Sequence, residues 1–278
     1  LYVALGIKSR ACLAEGDWDG AFKAAKRVID EGGYAVGTKS DLTGGMNSLD
    51  KQNVMWGAGI QVADQAGGYA GFFTHMDNKE GDYAKSAPKL ISKQLYNRIS
   101  ATDIRRDWWD PSDKESPYVS KKFSFANVAS FLGDYIYMRV EEMYFTAAEA
   151  ALRLDDLKSA RELMNTVMAE RDPGYSANNR SGTLLGATTT TWTGSFLENI
   201  LTHRRIELWG EYGRLFDVRR LGQGIDRRTD DGFSEECISM MNRRNVNITK
   251  ADTYDWVLTI PKAELDANPN INEEDQNP

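Results

Sequence analysis

The chain has 278 residues, of which 34 are basic and 41 acidic, giving a formal net charge of −7. This length is enough for one large domain or two small ones, and 41% hydrophobic residues are typical of a folded globular protein. The acidic balance argues against nucleic-acid binding, because neutralising phosphates needs a basic face. Without an apolar run of about 18 residues, no transmembrane helix is expected.

The first 33 residues predict a pair of helices. Apolar side chains recur at helical spacing at Ala4, Ile7, Ala11 and Ala14, so we expect these four on one packed face. After a break at Gly16-Asp17, either Asp17 or Asp19 can cap the next helix, because a short carboxylate accepts hydrogen bonds from free backbone N–H groups. The second helix has a face of small and branched residues, namely Ala21, Ala24, Ala25, Val28 and Ile29.

The same layout returns at residues 138–171. Ala148 and Ala151 lie on a first helix, Asp156 lies in the turn, and Ala160 marks the second helix. Small residues at these points let two antiparallel helices approach closely, as in tetratricopeptide (TPR) helix pairs. The two pairs are far apart in sequence, so a simple repeat array does not account for the chain between them.

The remaining chain is less regular. Residues 33–134 are rich in glycine, aspartate, asparagine and aromatic residues, with a short strand expected at 53–57 and a helix at 88–98. Alternation at 135–140 predicts another strand, and the pattern at 196–221 predicts one further helix. The predicted fold class is mainly α, with TPR-like helix pairs, an irregular loop-rich region and a few short strands.

Three segments resemble the SusD/RagB family of nutrient-binding proteins. Residues 139–150 are similar to its R-x-x-E-x-Y…A-E-A helix, and residues 200–220 to its I-L-x-E-R-R-x-E-L…R-x-F-D-x-R-R motif. Residues 260–278 are similar to its ending, I-P-x-x-E…N-P…Q-N-P. The sequence departs from the pattern at His203, where the family usually has glutamate, and at Thr259, where it often has proline.

The resemblance implies that residues 1–278 are the C-terminal part of such a protein, with the N-terminal part missing. It implies non-catalytic capture of glycans at the cell surface for a SusC-like TonB-dependent outer-membrane transporter, with no cofactor. The expected location is the outer membrane, through a lipid anchor upstream of Leu1. Two alternatives remain open: oligopeptide binding by the same kind of module, and a TPR-type protein adaptor.

The charged residues predict structure rather than catalysis. Arg204, Glu207, Glu211 and Arg214 recur three or four residues apart, a spacing that stacks ion pairs along one helical face. We interpret them as a clamp between helices. A glycosidase needs two carboxylates about 5–10 Å apart across a sugar, whereas two glutamates seven residues apart on a helix, Glu142 and Glu149, are separated by about 10 Å along its axis. With only two histidines in the chain, we predict no metal site and no enzyme activity.

Sugar recognition needs flat apolar faces together with polar groups that fix the hydroxyls. The candidate ligand-binding residues are aromatics outside the regular helices, namely Tyr69, Phe73, Tyr83, Trp108 and Trp109. The alternative for each is an ordinary aromatic residue of the core. Trp56 is not a candidate, because we expect its strand-like apolar run to bury it.

Overall fold

The computed structural model describes residues 1–64, 70–178, 180, 194–224 and 259–276. Two helix pairs form its main layer: α1 (Tyr2–Glu15) with α2 (Trp18–Glu31), and α7 (Val140–Arg153) with α8 (Leu157–Ala169). Short helices connect them, α3 (Lys39–Thr43), α4 (Phe72–Met76), α5 (Asp82–Ser86) and α6 (Lys93–Tyr96). The pairs are followed by α9 (Phe196–Glu207), α10 (Arg214–Arg220) and α11 (Lys262–Ala267).

The two pairs stack in one layer. Helix α2 packs between α1 and α7, while α8 and α9 both pack on α7. Asp17 and Asp156 begin the second helix of each pair, accepting hydrogen bonds from the backbone N–H groups of Gly20 and Ser159. Ala21, which is fully buried, belongs to the small-residue face that the sequence predicts for α2. The sequence therefore specifies both the breaks between helices and the packed face of α2.

Helix α1 packs through a different face from the predicted one. Ala4, Ile7, Ala11 and Ala14 are all exposed, and the helix instead buries Gly6, Ser9, Cys12 and Leu13. A side chain at position 6 would overlap Met138, so this glycine sets how closely helix α1 approaches the strand that carries that methionine. The helix is apolar on most sides, and for that reason its periodicity does not select the packed face.

The strands form two small antiparallel sheets. Strand β1 (Val54–Ala58) pairs with β4 (Tyr135–Arg139), and β2 (Trp109–Asp110) pairs with β3 (Val119–Ser120). The first pairing places the loop-rich region beside the start of α7. Met55 and Met138 face the helical core, whereas Trp56 is 40% exposed and Tyr137 is 41% exposed. The expected burial of Trp56 is therefore wrong, since alternate residues of a strand point to opposite faces.

A second hydrophobic cluster fills the loop-rich region. It contains Phe73, Trp108, Trp109, Phe123 and Phe125 among its buried aromatic residues. Short 3₁₀ helices, at Val62–Asp64, Ile104–Trp108, Val128–Ser130 and Glu273–Asp275, occur in the loops. Fold class is as predicted, mainly helical with a few short strands.

Two predicted helices are shorter than expected. Only α6 forms within residues 88–98, because Leu90 makes an isolated β-bridge to Val119 instead. The predicted helix at 196–221 is interrupted between α9 and α10, where Gly210 and Gly213 have φ angles of +74° and +109°. Positive φ is left-handed backbone, which a right-handed helix cannot contain.

Candidate functional site

A buried charge cluster joins the helical layer to the loop-rich region. Its centre is Glu207, the last residue of α9, whose carboxylate accepts hydrogen bonds from Arg105, Arg139 and Arg171 at 3.0–3.1 Å. Arg171 also reaches Glu141 at 2.8 Å. Burial opposes the charge of Glu207, but the arginines outweigh it and hold the pKa of Glu207 well below its usual range.

A second set of buried ion pairs holds three further acidic residues, Asp217, Glu142 and Glu149. Arg204 pairs with Asp217 at 3.0 Å, Arg10 with Glu142 at 2.7 Å, and Arg220 with Glu149 at 2.7 Å. The predicted clamp between helices is therefore present. Its partners come from separate elements, rather than from the same helical face as the sequence suggested. Glu142 and Glu149 are both buried in these pairs.

Lys122 fixes the turn that follows α9. Its ammonium donates to the backbone oxygens of Glu207 and Trp209 at 2.7 and 2.8 Å, and to the Glu211 carboxylate at 2.5 Å. The last carbonyls of a helix have no partner within it, so a buried ammonium at this point caps α9. Burial lowers the pKa of Lys122 to about 8, although Glu211 favours the charged form. The turn places Tyr212 beside the sheet of β1 and β4.

An apolar pocket of about 460 Å³ opens between this turn and that sheet. We call it the aromatic cleft; its aromatic walls are Trp56, Phe72, Phe123, Tyr135, Tyr137 and Tyr212. The rings of Trp56 and Tyr137 meet edge to face with centroids 5.2 Å apart. Both are part-exposed, so the cleft presents aromatic surface that a ligand can reach.

The charged groups of the aromatic cleft are already paired within the protein. The Arg10 guanidinium donates to the Tyr137 carbonyl at 2.6 Å and lies over the Tyr212 ring, 3.7 Å from its centroid. The Glu211 carboxylate accepts from Arg139 at 2.8 Å as well as from Lys122. The cleft therefore offers stacking surface more than charge.

Three of the predicted ligand-binding aromatics are core residues, which corrects that prediction. Phe73, Trp108 and Trp109 are 2%, 2% and 1% exposed, so none presents a ring face to a ligand. These rings pack with aliphatic residues such as Leu42 and Ile91 in the second hydrophobic cluster, where their large apolar area is buried. Trp108 also donates its indole N–H to the backbone oxygen of Leu42 at 2.9 Å, as expected of a buried tryptophan.

The other two candidates have different outcomes. Tyr83 is 40% exposed and stacks on His75, with ring centroids 4.6 Å apart and planes 9° from parallel. It remains a candidate platform, separate from the aromatic cleft. Tyr69 lies outside the described residues.

Trp56, Tyr137 and Tyr212 line the aromatic cleft and are candidate site residues that the sequence analysis did not select. The sequence does contain a signal for Trp56 and Tyr137. Each lies next to a methionine on one of the two paired strands, and neighbouring residues of a strand point to opposite faces. In the described part of the chain, no group of three or more histidine, cysteine, aspartate or glutamate residues could hold a metal ion. None of the described helices is both long enough and apolar enough to cross a membrane.

Comparison with known proteins identifies the scaffold. Residues 114–278 match the model of the SusD family. A SusD-like carbohydrate-binding protein from Bacteroides vulgatus is 26% identical, with a TM-score of 0.76 over 97% of this chain and 58% of its own. None of the curated proteins compared with the chain matches it.

Two further solved structures share the fold. A SusD superfamily protein from Bacteroides thetaiotaomicron is 22% identical, with a TM-score of 0.74 over 100% of this chain and 60% of its own. Surface glycan-binding protein A from Bacteroides uniformis is 16% identical, with a TM-score of 0.62 over 99% of this chain and 60% of its own. This chain thus spans about 58–60% of the length of these relatives. The chain belongs to the SusD family.

Proposed function

We propose that the protein binds glycans without chemically changing them and delivers them to a SusC-like TonB-dependent transporter at the outer membrane. Family membership supports this proposal, together with a relative described as a carbohydrate-binding protein. Ion pairs engage Glu142 and Glu149, which leaves these two carboxylates without the freedom that glycoside hydrolysis requires.

The observation that carries the proposal is the exposed pair of rings in the aromatic cleft. Trp56 and Tyr137 form a corner of aromatic surface beside a pocket of about 460 Å³, within the size range of small-molecule sites. The C–H faces of a sugar pack on such rings, and the phenol group of Tyr137 can hydrogen-bond to a hydroxyl. Tyr83, stacked on His75, supplies a further exposed ring outside the aromatic cleft.

One observation favours the alternative ligand, an oligopeptide. Arg10 and Glu211, the charged residues of the aromatic cleft, are paired with other protein groups. An apolar peptide side chain would fill such a cleft without needing further polar partners, whereas a sugar needs groups that fix its hydroxyls. We prefer glycan binding because one similar solved structure, 26% identical, is described as a SusD-like carbohydrate-binding protein.

Calorimetric titration of the complete gene product against soluble polysaccharides and peptides tests the proposal. We expect micromolar-to-millimolar affinity for one polysaccharide, and weaker affinity for it in Trp56→Ala or Tyr137→Ala, which remove stacking surface. Leu154→Ala is the control, because this exposed residue lies at the end of α7 and outside the cleft lining.

The titrations distinguish the glycan proposal from the oligopeptide alternative. Peptide binding that Trp56→Ala abolishes, with no response to any polysaccharide, would replace the glycan proposal by the oligopeptide one. Binding to neither class would contradict both. For the delivery step, the protein should co-purify with a TonB-dependent transporter from detergent-solubilised outer membranes and be cleaved by protease added to intact cells.

A further inference from the structure

Helix α4 borders the aromatic cleft at both of its ends. Its first residue, Phe72, is part of the cleft wall. Its last residue, Met76, packs against Gly210, another residue of the cleft lining, since a Cβ added to this glycine would lie 2.8 Å from the Met76 methyl carbon. The helix therefore runs along the edge of the cleft, and a side chain that it presents to solvent lies close to a ligand held there.

His75 is the most exposed residue of α4. It follows Phe72 by three positions, and residues with this spacing are neighbours on a helix surface, with Cβ atoms about 5–6 Å apart. The Tyr83 ring, which is 40% exposed, stacks on the His75 ring with centroids 4.6 Å apart and planes 9° from parallel. We call these two rings the Tyr83 platform. It begins one side chain away from the cleft wall.

The turn between α4 and α5 holds the Tyr83 platform in place. The buried Asp77 carboxylate accepts a hydrogen bond from the backbone N–H of Phe125 at 3.0 Å, which ties the turn to the second hydrophobic cluster. Gly81 lies so close to α4 that an added Cβ would be 2.5 Å from the Thr74 carbonyl oxygen. Because the two helices are fixed in this way, a ligand does not have to order the rings when it binds.

A single exposed ring binds a sugar weakly, so the Tyr83 platform is most effective for a ligand that the cleft already holds. Joining two contacts in one ligand makes the second contact intramolecular and raises the overall affinity. We propose that the aromatic cleft and the Tyr83 platform bind the same linear oligosaccharide, with one unit against Trp56 and Tyr137 and a later unit on the exposed surface of Tyr83. The protein therefore recognises a stretch of several sugar units rather than a single unit. This inference rests on the proposed function and adds to it the class of ligand by chain length.

The test titrates the complete gene product with size-fractionated oligosaccharides of starch, mannan, xylan and pectin, from disaccharides to octasaccharides. In the series that binds, Kd should fall as the chain lengthens. For the octasaccharide, Tyr83→Ala should raise Kd about three- to tenfold, as the loss of one stacking contact would. The same variant should leave Kd unchanged for the shortest oligosaccharide with measurable binding. Trp56→Ala should raise Kd at both lengths.

Two further variants act as controls. Tyr83→Phe keeps the ring and should keep the affinity for the octasaccharide. Lys85→Ala changes an exposed residue of the same short helix, two positions further on, where the side chain does not share a face with Tyr83. It should leave Kd unchanged at every chain length, which shows that α5 tolerates substitution.

A second measurement detects the ligand at the Tyr83 platform directly. In a ¹³C-labelled sample, the ring resonance of His75 should shift on adding the octasaccharide but not on adding the shortest oligosaccharide that binds. His75→Gln identifies that resonance. The ring of the buried His203 is the internal reference and should not shift with either ligand.

The two chain lengths distinguish the remaining outcomes. If Tyr83→Ala had no effect at either length and the His75 resonance did not move, this inference would be overturned, while a weakening by Trp56→Ala would keep the proposed function. Equal weakening of both lengths by Tyr83→Ala would place Tyr83 in one compact site and would also overturn the inference. Binding of no oligosaccharide to the unmodified protein would overturn both the inference and the proposed function.

Discussion

Arg171 and Glu207 form a bidentate ion pair in the interior of the protein. The Arg171 Nε and Nη2 atoms donate to the two carboxylate oxygens of Glu207, each at 3.0 Å, and both side chains are fully buried. Arg171 follows α8, and Glu207 ends α9. The pair therefore ties two helix ends together, and Arg105 and Arg139 extend the connection into the loop-rich region.

Glu207→Gln should be strongly destabilising. The substitution keeps the shape of the side chain but leaves Arg105, Arg139 and Arg171 around a neutral amide. Breaking a buried ion pair from one side costs about 3–5 kcal/mol, because the remaining charge is uncompensated. Urea unfolding followed by circular dichroism measures the loss. Asp19→Asn, which breaks the exposed pair with Lys23, is the control and should leave the unfolding midpoint unchanged; a similar midpoint for both variants would contradict the clamp.

His203 should make the protein less stable in mild acid. Its Nδ1 atom lies 2.8 Å from the Arg105 guanidinium, which can only donate, so the imidazole is neutral. Burial, followed by the charges of Arg105 and Arg180, holds the pKa of His203 well below 6.5, although Glu207 opposes this shift. The Tyr175 ring packs nearly perpendicular to the imidazole, with ring centroids 5.2 Å apart. The unfolded chain therefore binds a proton that the folded one does not, and stability falls as pH drops below 6.5.

The measurement is the free energy of unfolding between pH 7.5 and pH 5. His203→Gln should flatten its decline over the upper part of that range, before the carboxylates titrate. The exposed His75 is the matched control, and His75→Gln should retain the decline. Identical pH profiles for His203→Gln and His75→Gln would show that His203 does not cause the decline in the free energy of unfolding.

Lys122 should make the protein more stable as pH rises through the alkaline range, the same direction of pH dependence as His203 gives in mild acid. Burial lowers the pKa of Lys122 to about 8, against 10.5 for an ordinary lysine. Above pH 8 the folded protein loses this proton while the unfolded chain keeps it, so the free energy of unfolding rises with pH. We expect this rise between pH 8 and pH 9.5 in the unmodified protein and its absence in Lys122→Met. Lys121→Met removes a half-exposed neighbour and should leave the rise in unfolding free energy intact. If the rise disappeared in Lys121→Met, it could not be assigned to Lys122.

The sequence predicts the local elements better than the site. Helix breaks are local signals, so the caps at Asp17 and Asp156 were readable from short patterns. The aromatic cleft depends instead on the pairing of β1 with β4, which joins residues about 80 positions apart and sends Trp56 and Tyr137 outward. The burial of Trp108 and Trp109 likewise follows from long-range packing that no local pattern contains.

Helix α1 shows most directly that hydrophobic periodicity does not always identify the packed face of a helix. The exposed Ile7 belongs to the face that periodicity favours, whereas Leu13 is 3% exposed and packs in the core. In this chain, Leu13→Ala should cost about 2–5 kcal/mol through lost contacts and a cavity, and Ile7→Ala less than about 0.5 kcal/mol. Thermal unfolding of the two variants compares them. A larger loss in Ile7→Ala than in Leu13→Ala would mean that the predicted face, and not the observed one, is packed.

Gly210→Ala should distort the turn that holds Tyr212 in the aromatic cleft. Gly210 has a φ of +74°, and an added Cβ would lie 2.5 Å from the Phe123 ring and 2.8 Å from the Met76 methyl carbon. Gly222 is the matched control, since its φ is +61° but a Cβ there meets nothing within 4 Å. Both alanine variants carry backbone strain of about 1 kcal/mol, and only Gly210→Ala adds the clash. Unfolding free energies should therefore rank Gly210→Ala below Gly222→Ala, and only the former should weaken binding in the cleft. Equal stability would show that the ring of Phe123 moves aside freely and that the turn does not position Tyr212.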